Sequence, residues 1–175
     1  MIQNNDEDAY VRLARKTIEE FIQNGKIISV PDGLPDEMYT GRAGVFVSIK
    51  ENGNLRGCIG TIQAVQPSIA EEIVQNAISA STKDPRFSPI EPSELDKLTI
   101  SVDVLGDAEK IASPDKLDVK RYGVIVTKGY RRGLLLPNLE GVDTVEDQVE
   151  IAKSKAGIGM DEQAELERFE VVRHY

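Results

Sequence analysis

The sequence predicts an α+β fold with mixed or antiparallel sheets and about three helices, and three observations predict it. Strand-like runs come in hairpin pairs, the clearest being Val45-Phe46-Val47-Ser48-Ile49 followed, across Glu51-Asn52-Gly53-Asn54, by Leu55–Thr61. Apolar residues recur at helical spacing in three separate stretches. The coarse order, α-β-β-α-β-β-β-α-β, lacks the regular strand–helix alternation that a doubly wound parallel sheet requires. No break in composition marks a linker, so residues 1–175 read as one domain with its core over about 8–174.

Taken in order, residues from about Asp6 to Asn24 form an amphipathic helix with Leu13, Ala14, Thr17, Ile18, Phe21 and Ile22 on one stripe, stopped at Gly25. Pro31, Gly33, Pro35 and Gly41 make residues 26–42 an extended excursion. The hairpin of residues 43–62 follows. Pro67 opens a second helix whose broad apolar face carries Ile69, Ile73, Ala77 and Ala80. It runs to about Lys83 and is ended by Asp84-Pro85-Arg86-Phe87, because a residue before proline leaves the helical region. Ser93-Glu94-Leu95 makes a short helical turn. Leu98, Ile100, Val102 and Val104 alternate with Thr99, Ser101 and Asp103, which is the pattern of a half-buried strand. After a loop around Ser113-Pro114-Asp115, Tyr122–Thr127 and Gly133–Leu136 flank Lys128–Arg132 as a second hairpin. Thr144–Ala156 is a third helix, and Phe169–Tyr175 a last strand. The two hairpin-plus-helix stretches, 43–83 and 98–156, suggest an internal duplication.

Composition narrows the functional classes. The formal net charge of −9 disfavours long-range attraction to nucleic acid or to an anionic membrane. No apolar run approaches the roughly 20 residues that span a bilayer. The acidic, polar start lacks a signal peptide's regions, and a single cysteine makes no internal disulfide, so the expected compartment is the cytoplasm. One cysteine and one histidine leave no ligand set for a structural zinc. Nucleotide-binding glycine loops, Cys-x-x-Cys and His-Glu-x-x-His are absent.

The candidate chemistry gathers in two stretches. Leu55-Arg56-Gly57-Cys58-Ile59-Gly60-Thr61 holds the only cysteine, and strand alternation turns Arg56 and Cys58 to one face. A thiolate, not a thiol, is the nucleophile, and a neighbouring guanidinium would favour it. The alternative is a small, buried, inert side chain. Gly57 and Gly60 within a strand mark a bulge or a close approach. In Asp84-Pro85-Arg86-Phe87, Arg86 can grip a carboxylate or phosphate, or the segment simply caps a helix while Phe87 plugs the core. His174, the only histidine, reaches Cys58 only if the last strand pairs beside the first hairpin; otherwise it is a surface residue. Arg121, Lys128, Arg131 and Arg132 read as a solvated basic turn.

Together with the Ile100–Leu105 strand, Leu134-Leu135-Leu136-Pro137 and Lys155-Ala156-Gly157, these two stretches resemble, in order, the motifs of the AMMECR-type domain family, over roughly Asp8 to His174. The resemblance implies an α+β fold with a larger and a smaller lobe and a cleft between them. On that reading Cys58, Arg56, Lys155 and Asp84 are the catalytic candidates, with Glu91 as a further proton handler, and Gly57, Gly60, Arg86, Phe87 and Pro137 are substrate contacts. The implied function is a cysteine-dependent enzyme modifying RNA or another macromolecule; the alternative is a binding or adaptor module for a nucleotide, peptide or protein. In that alternative Arg56 pairs with Asp84 or Glu72. The prokaryotic members' name, AmmeMemoRadiSam system protein A, implies Memo-like and radical S-adenosylmethionine partners. No cofactor is indicated, and a monomer or weak dimer is expected. Val142 stands where many members have tryptophan, and Ala152 or Ser154 where a second cysteine is common, which argues against a two-cysteine mechanism.

Overall fold

Each of the three long helices of the computed structural model, which describes residues 6–175, begins where a side chain caps it. Helix α1 (Ala9–Asn24) starts three residues later than the sequence suggested, because the Asp8 carboxylate accepts the Val11 N–H at 3.1 Å and fixes the first turn there. Its buried stripe is Tyr10, Val11, Leu13, Ala14, Thr17 and Ile18, with Phe21 and Ile22 packed partly buried at its end. The expected extended excursion contains one short helix, α2 (Asp36–Thr40), formed around the fully buried Met38. Strands β1 (Val45–Glu51) and β2 (Asn54–Gly60) turn through Asn52 and Gly53, both at positive φ (50° and 81°), which is the geometry that suits the twist of a tight hairpin. Helix α3 (Ile69–Thr82) is capped by Ser68 rather than opened by Pro67. A 3₁₀ turn over Pro92–Lys97 leads into β3 (Leu98–Leu105).

Strand β4 (Glu109–Ile111) falls in a stretch with no strand signal in the sequence. Strands β5 (Gly123–Lys128) and β6 (Arg131–Leu135) are joined by Gly129 and Tyr130 alone, with Lys128 paired to Arg131, so Arg131 and Arg132 are strand residues and not a solvated turn. Thr144 caps helix α4 (Val145–Ala156). The expected single last strand is two, β7 (Glu165–Phe169) and β8 (Val171–His174), in different sheets.

Both sheets are four-stranded and antiparallel, in the orders β2-β1-β3-β8 and β4-β7-β5-β6. The chain divides into two compact units, one running to Leu105 and including Arg173–Tyr175, the other Gly106–Val172. The first unit's core packs α1 and α3 on the face of β1 and β3 that carries Val45, Val47, Ile49, Ile100 and Val102. The second unit's core is smaller: Val124, Val126, Leu135, Ala152 and Ile158, with Leu117.

The two units share one local plan. In each, a hairpin is followed by a helix and then by a strand that pairs with the hairpin's first strand, leaving the second hairpin strand at the edge. In each, a glycine in that edge strand receives a helix carbonyl. A Cβ on Gly57 would stand 2.2 Å from the Ala80 carbonyl oxygen of α3, and one on Gly133 would stand 2.3 Å from that of Ala152 in α4. Gly57 therefore admits the fold's own helix.

Gly57→Ala should accordingly cost about 3 kcal/mol of stability, since backbone must move. Gly53→Ala, at φ 81° with open space around it, should cost only about 1 kcal/mol. Urea denaturation of the two variants checks this; equal losses would mean that α3 does not hold the strand this closely.

Candidate functional site

Cys58 sits on the edge strand β2, half-buried, on the face away from the helices. It pairs with Ser48 on β1, which pairs with Ser101 on β3, so a thiol and two hydroxyls lie side by side across the sheet. The Cys58 Sγ and Ser48 Oγ are hydrogen-bonded at 3.2 Å. Phe46 covers the neighbouring position, its ring 2.3 Å from where a Gly60 Cβ would be, so Gly60 makes room for an aromatic of its own sheet.

Arg56 departs from the expected alternation. Ile49 pairs with Gly57 but Lys50 pairs with Leu55, so Arg56 is the extra residue of a β-bulge. The bulge sends its guanidinium to the Glu94 carboxylate at 2.8 and 3.2 Å, to the Ser88 and Pro89 carbonyls at 2.8 and 3.3 Å, and toward Glu51 at 3.6 Å. Neither Asp84 nor Glu72 is its partner. The Arg56 hydrogen bonds, opposed by burial, hold Glu94 down at about 2, while burial and the hydrogen bond shared with Glu94 raise Glu51. With its side chain 14% exposed, Arg56 is committed to the protein.

The cation beside the thiol is Arg86, which lies within electrostatic reach of Cys58. The buried Asp84 carboxylate accepts the Cys58 backbone N–H at 3.0 Å, the Arg86 N–H and Nε at 3.1 Å each, and the Arg86 Nη2 at 2.8 Å. Chiefly the Arg86 guanidinium, with the two backbone amides and against burial, brings Asp84 down to about 2. Arg86 is raised, first by Asp84, and its side chain stays 55% exposed, stacked over the Phe87 ring at 5.4 Å. Phe87 is half-buried and its N–H donates to the Asp84 carbonyl at 3.1 Å. Glu91, expected as a further proton handler, is exposed and occupied in capping the 3₁₀ turn, where its N–H donates to Glu94.

His174 is not a base for Cys58. Strand β8 pairs with β3, so β1 and β3 separate it from β2. The His174 ring instead stacks on Tyr10 of α1 at 3.7 Å and bonds the Asp8 carboxylate at 2.6 Å. It is a half-buried tie between the last strand and the first helix, not a surface residue. Pro137 and Lys155 belong to the second unit: Pro137 is buried just past β6, and the Lys155 ammonium donates to the Leu134 carbonyl at 2.7 Å.

Two more residues shape the site: Glu72, expected from the sequence only as a partner for Arg56, and Asn76, which the sequence reading passed over. Glu72 is fully buried on α3, accepting from the Thr61 hydroxyl at 3.0 Å and from the Val65 and Gln66 amides at 2.8 and 3.1 Å. Asn76, one turn on, donates to the Val45 carbonyl at 2.9 Å and to Thr61. Their signal was present: both fall on the stripe of Ile69, Ile73 and Ala80, where a polar residue needs a partner. Among the described residues no group of three or more His, Cys, Asp or Glu could hold a metal, and no helix is long and apolar enough to cross a membrane.

Fold and site thus define an α+β protein of two sheet-and-helix units, with its one cysteine on a capped edge strand. The chain belongs to the AMMECR1 family, whose sequence model matches residues 11–174. It is 50% identical to a Thermotoga maritima protein over 96% of this chain and 98% of that one. It is also 50% identical to a Clostridium acetobutylicum protein over 98% of this chain, which spans only 37% of that longer relative. The crystal structure of the uncharacterized protein PH0010 from Pyrococcus horikoshii superposes with a TM-score of 0.86 at 35% identity, over 94% of this chain and 88% of that one.

The Asp84 clamp gives a pH prediction. A carboxyl lowered from 3.8 to about 2 on folding contributes stability that is complete above about pH 4 and is lost as pH falls through 2, about 2 kcal/mol in all. Asp84→Asn should lose an amount of that order at pH 7 and flatten the acid limb of the stability–pH curve. An unchanged acid limb would show that the clamp is not ionised in the fold.

Proposed function

We propose that this protein is a cysteine-dependent modifying enzyme, with Cys58 as the nucleophile and Arg86 holding an anionic group of the substrate. The observation that carries this reading is the Asp84 carboxylate, which fixes the cysteine's own strand and the exposed arginine to one another. A guanidinium close to a thiol favours the thiolate, and Ser48 offers the sulfur a hydrogen-bond donor. In the reaction the thiol proton leaves to solvent and a bond forms from Sγ to an electrophilic atom of the substrate. The leaving group departs with its bonding electrons. Transfer to water or an acceptor then restores the thiol.

With a net charge of −9, a protein or small-molecule substrate fits better than bulk RNA, whose binding would weaken steeply with salt. The Memo-like and radical S-adenosylmethionine partners belong to this proposal as the proteins that would supply or accept the transferred group. Lys155 is assigned no step, its ammonium being engaged by Leu134.

One observation favours a second reading, a binding module: Arg56, Gly57, Gly60 and Asp84 each serve the fold directly. The two readings separate on the rate of Cys58 alkylation by iodoacetamide from pH 5 to 9. The enzyme reading expects an apparent pKa below the free value of about 8.5, rising in Arg86→Ala. A thiol that stays inert until the protein unfolds would leave the binding reading.

A further inference from the structure

A hollow of about 530 Å³ lies in the second unit, bounded by β4, β5, β6 and β7. Lys110, Thr127, Arg132, Glu165 and Glu167 line it. The pairing registers put these five on one face of the sheet: Thr127 stands opposite both Arg132 and Glu165, and Lys110 opposite Glu167. That size is typical of a small-ligand site.

The charges of this sheet are otherwise paired. Arg168 bonds Glu109, Arg131 bonds Glu162 and, within the hollow, Arg132 reaches across β5 to Glu167 at 3.4 Å. Among the described residues the Lys110 ammonium, the Glu165 carboxylate and the Thr127 hydroxyl, though they line the hollow, make no hydrogen bond or ion pair. Lys110 and Glu165 are diagonal neighbours on adjacent strands, about 7–8 Å apart at Cα, and yet do not close on each other. A purely anionic ligand would meet two carboxylates and a protein of charge −9, and a purely cationic one would meet Lys110 and Arg132. A ligand that carries both charges satisfies both groups at once.

We infer that this hollow is a binding site for a small zwitterion, its carboxylate held by Lys110, its ammonium by Glu165, and Thr127 supplying a hydrogen bond between them. The site shares no residue with the Cys58 site, so it stands or falls independently of the enzyme reading.

The test is an amide chemical-shift titration of the full-length protein with three probes: 5-aminopentanoate, pentanoate and pentylammonium. The zwitterion should give saturable shifts at Lys110, Thr127 and Glu165, binding at least about tenfold more tightly than either singly charged probe. Lys110→Met and Glu165→Gln should each weaken it by about tenfold, and Thr127→Val by less, with the dispersion of the other amides unchanged. Because the comparison among probes uses the wild-type protein, it stands even if a variant fails to fold. Absence of saturable shifts at those amides up to tens of millimolar, or equal binding of pentanoate or pentylammonium, would overturn the assignment.

Discussion

A single carboxylate decides how the first unit closes. The strand β2 is an edge, and an edge amide buried without a partner costs as much as a lost hydrogen bond. Asp84, two residues past the end of α3, reaches back to the Cys58 amide and at the same time receives the Arg86 amide and guanidinium. The helix end, the strand and the following loop are thereby made one object. Arg56 works on the same edge from the strand side, gripping the Ser88 and Pro89 carbonyls and Glu94. Both segments that look chemical in the sequence are thus first of all the seal of an open β-edge.

The second unit solves the same problem with opposite polarity. There the edge strand is β6, the glycine under the helix is Gly133, and the residue after it, Leu134, is capped through its carbonyl by Lys155 at the end of α4. In the first unit an acid takes the N–H of the residue after the glycine; in the second a base gives to its C=O. Both groups of a strand residue point to the same side, so either cap serves. Close glycine–helix packing brings the helix C-terminus near enough for a single side chain to reach.

Legibility in the sequence followed this division of labour. The hairpins, the three long helices and β3 rest on local period and turn chemistry, and all were readable. Strand β4 is three residues long and exists only because β7 is beside it, so no local pattern announces it. The tail read as one strand because nothing at Glu170 looks like a break. The break is tertiary: the Gly106 N–H takes the Glu170 carbonyl at 2.8 Å where the chain passes between sheets, and Arg173 then meets the buried Asp103 at 2.7 and 2.9 Å. That pair also explains why the alternation in β3 fails at Asp103, a charge with only 2% exposure. In the candidate site, Cys58, Asp84 and Arg86 were singled out in the sequence, but the partner of Arg56 was not. A bulge of one residue, invisible in composition, moved Arg56 from the thiol's face to the strand's edge.

The same bulge bears on which arginine is open to a ligand. Two guanidiniums approach this strand, and exposure separates them: 14% for Arg56 against 55% for Arg86. Arg56 has five acceptor contacts within the protein, so recruiting it to a ligand would leave Glu94 and two carbonyls without their donor. Arg86 is held along one side only, by Nε and Nη2, which leaves its remaining amino group directed away from Asp84. Asp84 offsets part of the positive charge that Arg86 brings near Cys58. A second anion seated on Arg86 would offset more of it. In the proposed enzyme, substrate binding and thiolate formation would therefore oppose each other at this arginine, and the uncharged Ser48 hydroxyl, hydrogen-bonded to the sulfur, is the group that would sustain both.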